Sequence, residues 1–175
     1  MQLLTAILRG FQAIFAIIVL GISVDLARGQ DKQFQAVPAA TGYAAFCGAF
    51  GVLAALVGIT SIFVTSLEGL VTWALDGLSA VTMLASGIAY AVLLRNATCG
   101  DWLSTWSNVL LSGGCGDILR TQVCRYATDE SKLKSRCVSA RADSAFMFIS
   151  FVTCLGIVAY TFFMRGREKG GVNYA

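Results

Sequence analysis

The sequence predicts an all-α integral membrane protein, an antiparallel four-helix transmembrane bundle with a cysteine-bearing loop between its third and fourth helices. Composition is the first observation. Of 175 residues, 57% are hydrophobic and only 13% charged, against about 25% charged in a soluble domain, and the mean hydropathy is +0.72. The second is the grouping of apolar residues into four stretches of membrane-spanning length. The third is the gathering of Cys99, Cys115, Cys124 and Cys137 into one polar segment.

The first span, about residues 4–26, joins the apolar runs Leu3–Leu8 and Phe11–Val24 across Arg9. A cleaved signal peptide is the alternative. Against it, no small-x-small site followed by a soluble region appears, and Ala27 is closely followed by the second span. That span, about 39–64, lies in a stretch with no charge between Gln33 and Leu67. The third, 70–94, is interrupted only by Asp76. The fourth, 144–164, is long enough for a ~30 Å hydrocarbon core. A single domain over 1–175 accommodates all four.

Connections set the topology. The turn Thr65-Ser66-Leu67-Glu68-Gly69 is so short that the second and third helices must be antiparallel neighbours. Both termini then share one side, with the tail 165–175, and the loops 28–38 and 95–143 share the other. Two rules disagree about which side is which. Counting Lys and Arg favours cytoplasmic loops, since Arg28, Lys32, Arg95, Arg120, Arg125, Lys132, Lys134, Arg136 and Arg141 outnumber Arg9, Arg165, Arg167 and Lys169. The tail cluster, however, is dense and hugs the membrane. Four loop cysteines also indicate two disulfides in an oxidising compartment, and zinc is disfavoured because no C-x-x-C pair occurs. Asn96-Ala97-Thr98 adds a glycan acceptor pattern, although Asn96 stands only two residues beyond Leu94. The loops are therefore expected outside and the termini in the cytoplasm.

Within the long loop, Asp101 precedes an i, i+4, i+7, i+8 stripe of Trp102, Trp106, Val109 and Leu110, with Gly113-Gly114 as a stop. Asp117 opens a second such segment with Ile118, Leu119, Val123 and Tyr126. Two readings stand: a helix lying in the headgroup layer, or a disulfide-knit cap whose tryptophans face its own core. From Asp129, acids precede bases as a helix dipole prefers, so the fourth helix is expected to start outside the membrane.

Small residues recur at four-residue spacing in Ala44/Gly48, Gly51/Ala55 and Ala54/Gly58, and the third span has Gly77 and Gly87/Ala91. They let helices approach closely, within the bundle or between protomers. Cys47 and Cys154 read as small apolar fillers. Asp76 is the one ionisable residue read as lying well inside a span, two turns from Glu68, and an intramembrane acid is a functional candidate. No further buried charge extends a path from it. Hydrogen bonding to Thr72, Ser79 or a neighbouring helix is the preferred account.

The stretches ILRGFQAIFAIIVLGISVDL, ALDGLSAVTMLASGIAYAVLLRNATC and RCVSARADSAFMFISFVTC resemble the fungal MARVEL-domain proteins of the non-classical export protein family. The likeness covers most of the chain in the same order. Its sharpest parts are Asp76 with Cys99 on the third helix and Arg136-Cys137 before the fourth. The resemblance implies a non-enzymatic organiser of plasma-membrane microdomains, linked to eisosomes and sphingolipid. Three cysteine pairings are open. The nested one, Cys99–Cys137 with Cys115–Cys124, is favoured because Cys99 and Cys137 sit by membrane exits and the resemblance selects the same two.

The expected partners are membrane lipids (sphingolipid, sterol or anionic lipid), further copies of the chain, and other plasma-membrane or eisosome proteins. Tail residues Arg165, Arg167 and Lys169 would touch anionic headgroups. No cofactor or metal is expected. Without histidine or a nucleophile motif, an enzyme has no support, and a net charge of +3 gives no case for nucleic acid. A tetraspanin-like scaffold is the main alternative, although its Cys-Cys-Gly motif is absent; a small proton or ion transporter using Asp76 is the other.

Overall fold

The structure, a computed structural model, describes residues 2–30, 37–61, 70–118, 121–126 and 128–170. Its elements are α1 (Gln2–Arg28), α2 (Ala39–Thr60), α3 (Leu70–Leu94), a short α4 (Trp102–Trp106), a hairpin of β1 (Cys115–Ile118) and β2 (Thr121–Cys124), and α5 (Glu130–Gly170). Four of these helices are long and apolar enough to cross a membrane. The all-α bundle with a disulfide-bearing cap is therefore the architecture. The tight turn expected at Thr65–Gly69, including Glu68, lies outside the described residues.

The long helices close a ring: α1 packs on α2, α2 on α3, α3 on α5, and α5 on α1. The chemistry of the packed faces is inverted relative to a soluble bundle. On α2 the buried residues are Thr41, Ala44, Cys47, Gly48, Gly51, Ala54, Ala55 and Gly58, whereas Phe46, Leu53 and Leu56 are exposed. Lipid solvates large apolar side chains as well as protein does, so close approach of backbones, rather than burial of large residues, drives the packing. Pro38 stands just before α2, where its missing N–H costs nothing, and its carbonyl accepts from Thr41 and Gly42.

Gly48 shows how tight that approach is. A Cβ there would lie 2.7 Å from the Leu20 backbone nitrogen and 2.8 Å from its Cα. At Gly51 it would meet Met83 Cε at 2.8 Å and Ala16 Cβ at 3.0 Å, and at Gly87 the Phe148 ring at 3.3 Å. These positions, with Ala44 and Ala55, serve packing inside the bundle. The reading in which small residues leave lipid-facing grooves for a second protomer does not hold for Gly51 and Ala55, because both are buried against neighbouring helices. Gly77, in contrast, faces open space. Gly48→Ala is expected to cost about 1–3 kcal/mol by overpacking against backbone that cannot move aside. Gly77→Ala should be neutral or slightly stabilising. Unfolding midpoints in detergent micelles, compared for the two variants, check this; equal midpoints would refute the close approach.

At one end α5 runs past the membrane-length segment into the cap, where its first turns carry Asp129 as a capping acid. The Asp129 carboxylate accepts from Ser131 Oγ at 2.8 Å and Lys132 N at 3.2 Å. Those bonds favour the ionised form and hold its pKa below the ordinary value. Disulfides join Cys99 to Cys137 and Cys115 to Cys124. Asn108 Nδ2 donates to the Leu93 carbonyl at 2.7 Å, and Arg141 to the Ala97 carbonyl at 2.6 Å, fastening the cap to α3 and α5.

The cap corrects two expectations. The stripe from Trp102 to Leu110 is helical only through Trp106. Asp101 caps it by accepting from Leu103 N, and turns follow. In the segment opened by Asp117, Leu119 lies outside the described residues, and its flanks Cys115–Ile118 and Thr121–Cys124 are strand rather than helix, since Cys115 lies opposite Cys124 and the disulfide between them clamps an antiparallel register. A helical stripe cannot satisfy that cross-link, so the covalent constraint overrides local pattern. Gly113 and Gly114 have φ of 77° and 100°, and the turn they make lets the Tyr126 ring cover Gly113. Trp102 is 49% exposed, and its ring stands 6.3 Å from that of the half-buried Trp106; the closed interior belongs to Leu110 and Leu111 instead.

Candidate functional site

A charge between membrane helices must be paired, or its desolvation is prohibitive. Asp76 meets that demand through its neighbour α1. Arg9 grips it in a two-pronged ion pair, Nη1 to Oδ1 at 2.5 Å and Nη2 to Oδ2 at 2.6 Å. Gln12 donates to the same Oδ1 at 3.2 Å and accepts from Arg9 at 3.1 Å. Planar guanidinium and carboxylate match as a fork, and both side chains are within a few per cent of complete burial.

All four long helices build this network. Gly58 on α2 supplies the gap through which Arg9 reaches α3, since a Cβ there would collide with the guanidinium. Cys154 on α5 lies 3.4 Å from Gln12 Nε2 and 3.9 Å from Ser79 Oγ. Of the expected alternatives it is a neighbouring helix that supplies the partners, Arg9 and Gln12 of α1. In the sequence Arg9 counts among the basic residues on the side of the termini. In the up-and-down order α1 and α3 run parallel, so Arg9, two turns along α1, stands level with Asp76 near the start of α3.

A second set of buried charges stands near the cap. Arg136 reaches across three elements, Nε to the Leu111 carbonyl at 3.1 Å and Nη2 to the carbonyls of Leu26 and Leu110 at 3.0 and 3.3 Å. Leu26 belongs to the last turn of α1, whose dipole favours a cation there. The guanidinium also lies 5.3 Å from the Tyr126 ring centroid. Beside it, a cleft of about 350 Å³ is lined by Asp25, Arg28, Tyr126, Lys132 and Ser135. Deeper in the bundle Asp143, fully buried, accepts from Ser23 Oγ at 2.7 Å. Asp76 is thus not the only buried charge, since Arg9, Arg136 and Asp143 are buried as well. Asp143 was passed over because it marks the polar edge of an apolar run; its spacing of seven residues from Arg136 places both on one face of α5.

The remaining sequence candidates are dispersed. Asn96 is exposed just past α3. Cys47 and Cys154 are free and buried, and Cys47 Sγ approaches the Thr82 carbonyl at 3.5 Å. Arg165, Arg167 and Lys169 lie along the last turns of α5, with side chains outside what is described. Among the described residues no cluster of three or more His, Cys, Asp or Glu could hold a metal. The arrangement offers buried ion pairing and a broad apolar exterior.

Comparison with known families identifies one match: the model of the MARVEL membrane-associating domain covers residues 2–160. No curated protein and no solved structure matches the chain.

Proposed function

Starting from the chain's membership of the MARVEL membrane-associating family, we propose that it is a non-enzymatic organiser of plasma-membrane microdomains, acting through lipid contacts and lateral association. The family is one of membrane association rather than catalysis. The observation that carries the reading is the partition of chemistry within the bundle. The buried charges face the bundle interior, Arg9 pairing with Asp76, while each long helix turns large apolar side chains outward, among them Ile14, Ile17, Phe46, Leu53, Leu78, Val81 and Val152. On α2 the rings of Tyr43, Phe46 and Phe50 stack in succession at 6.4 and 6.2 Å. Such a ridge can order acyl chains or meet a second copy.

The finer reading, carried from the resemblance, is a protein of sphingolipid-linked furrows of the eisosome type, working as a homo-oligomer. The tail residues Arg165, Arg167 and Lys169 each add up to ~1 kcal/mol of attraction to an anionic leaflet, weakened by Glu168. The bundle surface is thus the main contact and the tail a bias. Replacing Phe46 and Leu53 with alanine should disperse lateral clusters of a fluorescently tagged chain while insertion persists. Neutralising the three tail residues should do less, and the opposite ranking would overturn this division of roles.

The orientation belongs to the same proposal: both termini cytoplasmic and the disulfide cap outside. An impermeant thiol reagent on intact cells should label a Gln33→Cys variant and miss Gly170→Cys. Labelling of Gly170→Cys alone would reverse the topology.

A further inference from the structure

Asp143 poses a problem of charge that Asp76 does not. Both carboxylates are buried, but Asp76 has a guanidinium. Among the described residues the ion pairs are Arg9–Asp76 and Lys132–Asp129, so none reaches Asp143. Arg136 lies seven residues toward the cap, about 10 Å along the helix, and is engaged with three carbonyls. The Asp143 Oδ2 accepts from Ser23, whereas Oδ1 has no hydrogen-bond partner among the described residues.

The surroundings of Asp143 are oxygen-rich. Tyr90 is fully buried and adjoins Thr41, Ser23 and Asp143. Thr41 and Ser23 stand close to the Tyr90 hydroxyl, but neither the Tyr90 nor the Thr41 hydroxyl completes a hydrogen bond of good distance and angle among the described residues. One oxygen-bearing side chain therefore comes from each long helix: Ser23 from α1, Thr41 from α2, Tyr90 from α3 and Asp143 from α5. A buried carboxylate is paired, bound to a cation or neutralised by a proton, and hydroxyls gathered around it without completed hydrogen bonds offer oxygens to a cation or polar ligand.

The donor set selects among ions. One carboxylate balances one positive charge. Divalent calcium prefers six to eight oxygens and usually several carboxylates. Soft metals want sulfur or imidazole, and the chain has no histidine. We propose that Ser23, Thr41, Tyr90 and Asp143 form a binding site for a monovalent alkali cation where the four helices meet below the cap. Occupancy neutralises Asp143 and draws the helices together at this end, coupling the bundle's packing to the surrounding cation.

The test uses the full chain in detergent micelles, with thermal unfolding followed by tryptophan fluorescence. Solutions of sodium, potassium or choline chloride are matched in ionic strength. The midpoint should rise with sodium or potassium over choline and saturate, as for any ligand that binds only the folded state. Asp143→Asn, which carries no charge to neutralise, should give one midpoint in all three salts. Should that variant fail to fold, Tyr90→Phe and Thr41→Val keep the carboxylate and remove one ligand oxygen. Each should raise the half-saturating cation concentration about tenfold, the equivalent of ~1.4 kcal/mol. Sodium-23 linewidths should broaden with the native chain, less with Tyr90→Phe and Thr41→Val at the same sodium concentration, and not with Asp143→Asn. A native chain with the same midpoint in choline as in sodium and potassium would overturn the site, as would an Asp143→Asn variant that kept the native response.

Discussion

Arg9→Met should destabilise the bundle by about 3–5 kcal/mol, the usual cost of removing one member of a buried ion pair and leaving the other uncompensated. The size follows from the geometry. Asp76 takes two guanidinium bonds, and both partners are nearly inaccessible. Asp76→Leu should be as damaging, because it strands the guanidinium against Gly58 and Gln12. The double variant Arg9→Met with Asp76→Leu should recover most of the loss, since replacing a buried pair by apolar groups of similar volume is often neutral. Denaturant unfolding of all four chains in mixed micelles gives the coupling energy. Strictly additive losses would mean that the two residues are not partners. Such a pair also speaks against Asp76 as a transport site: its charge is already neutralised, and opening it exposes two charges to hydrocarbon.

Loss of the Cys99–Cys137 bond should come next in size, at about 3–4 kcal/mol in the chain-entropy view of a cross-link. Its ends are 38 residues apart, against nine for Cys115–Cys124. The shorter loop should be worth about 2.5 kcal/mol by the same relation. The two bonds also differ in what they hold. The first joins the exit of α3 to α5, and the second fixes only the register of a two-stranded hairpin. Cys137→Ala should therefore loosen the packing of α5 on α3, while Cys115→Ala should loosen the cap alone. Hydrogen exchange on the α3 and α5 amides separates the two outcomes. Non-reducing peptide mapping should recover Cys99 joined to Cys137, and a Cys99–Cys115 peptide would contradict the pairing.

The four-span helical class was legible because uncharged runs of membrane length are a property of the linear chain and need no knowledge of contacts. The two polar centres were not, for a related reason. Reading along the chain ranks a charge by its distance from a span end, so Arg9 and Asp143 pass as boundary markers. The up-and-down order makes α1 and α3 parallel and so sets Arg9 level with Asp76, a relation between residues 67 positions apart. The hairpin at 115–124 misled in the opposite direction. Asp117 followed by Ile118, Val123 and Tyr126 carries apolar residues at spacings that a helix would also produce, and four-residue strands are too short to show alternation clearly. The disulfide decides between them, and a sequence leaves its pairing open. Small residues on α2 were legible as packing residues but not as to which surface they meet; only the nearness of Gly48 to the Leu20 backbone places them inside.

The central claim is that an apolar exterior, freed from internal pairing duties, gathers lipid and further copies of the chain. Native mass spectrometry of the full chain in particles cut directly from the plasma membrane, without detergent, tests it most directly. The account predicts oligomers that retain lipid, and conversion toward smaller, lipid-poorer species when Phe46 and Leu53 are replaced by alanine. Monomers bare of lipid, unchanged by those substitutions, would contradict it.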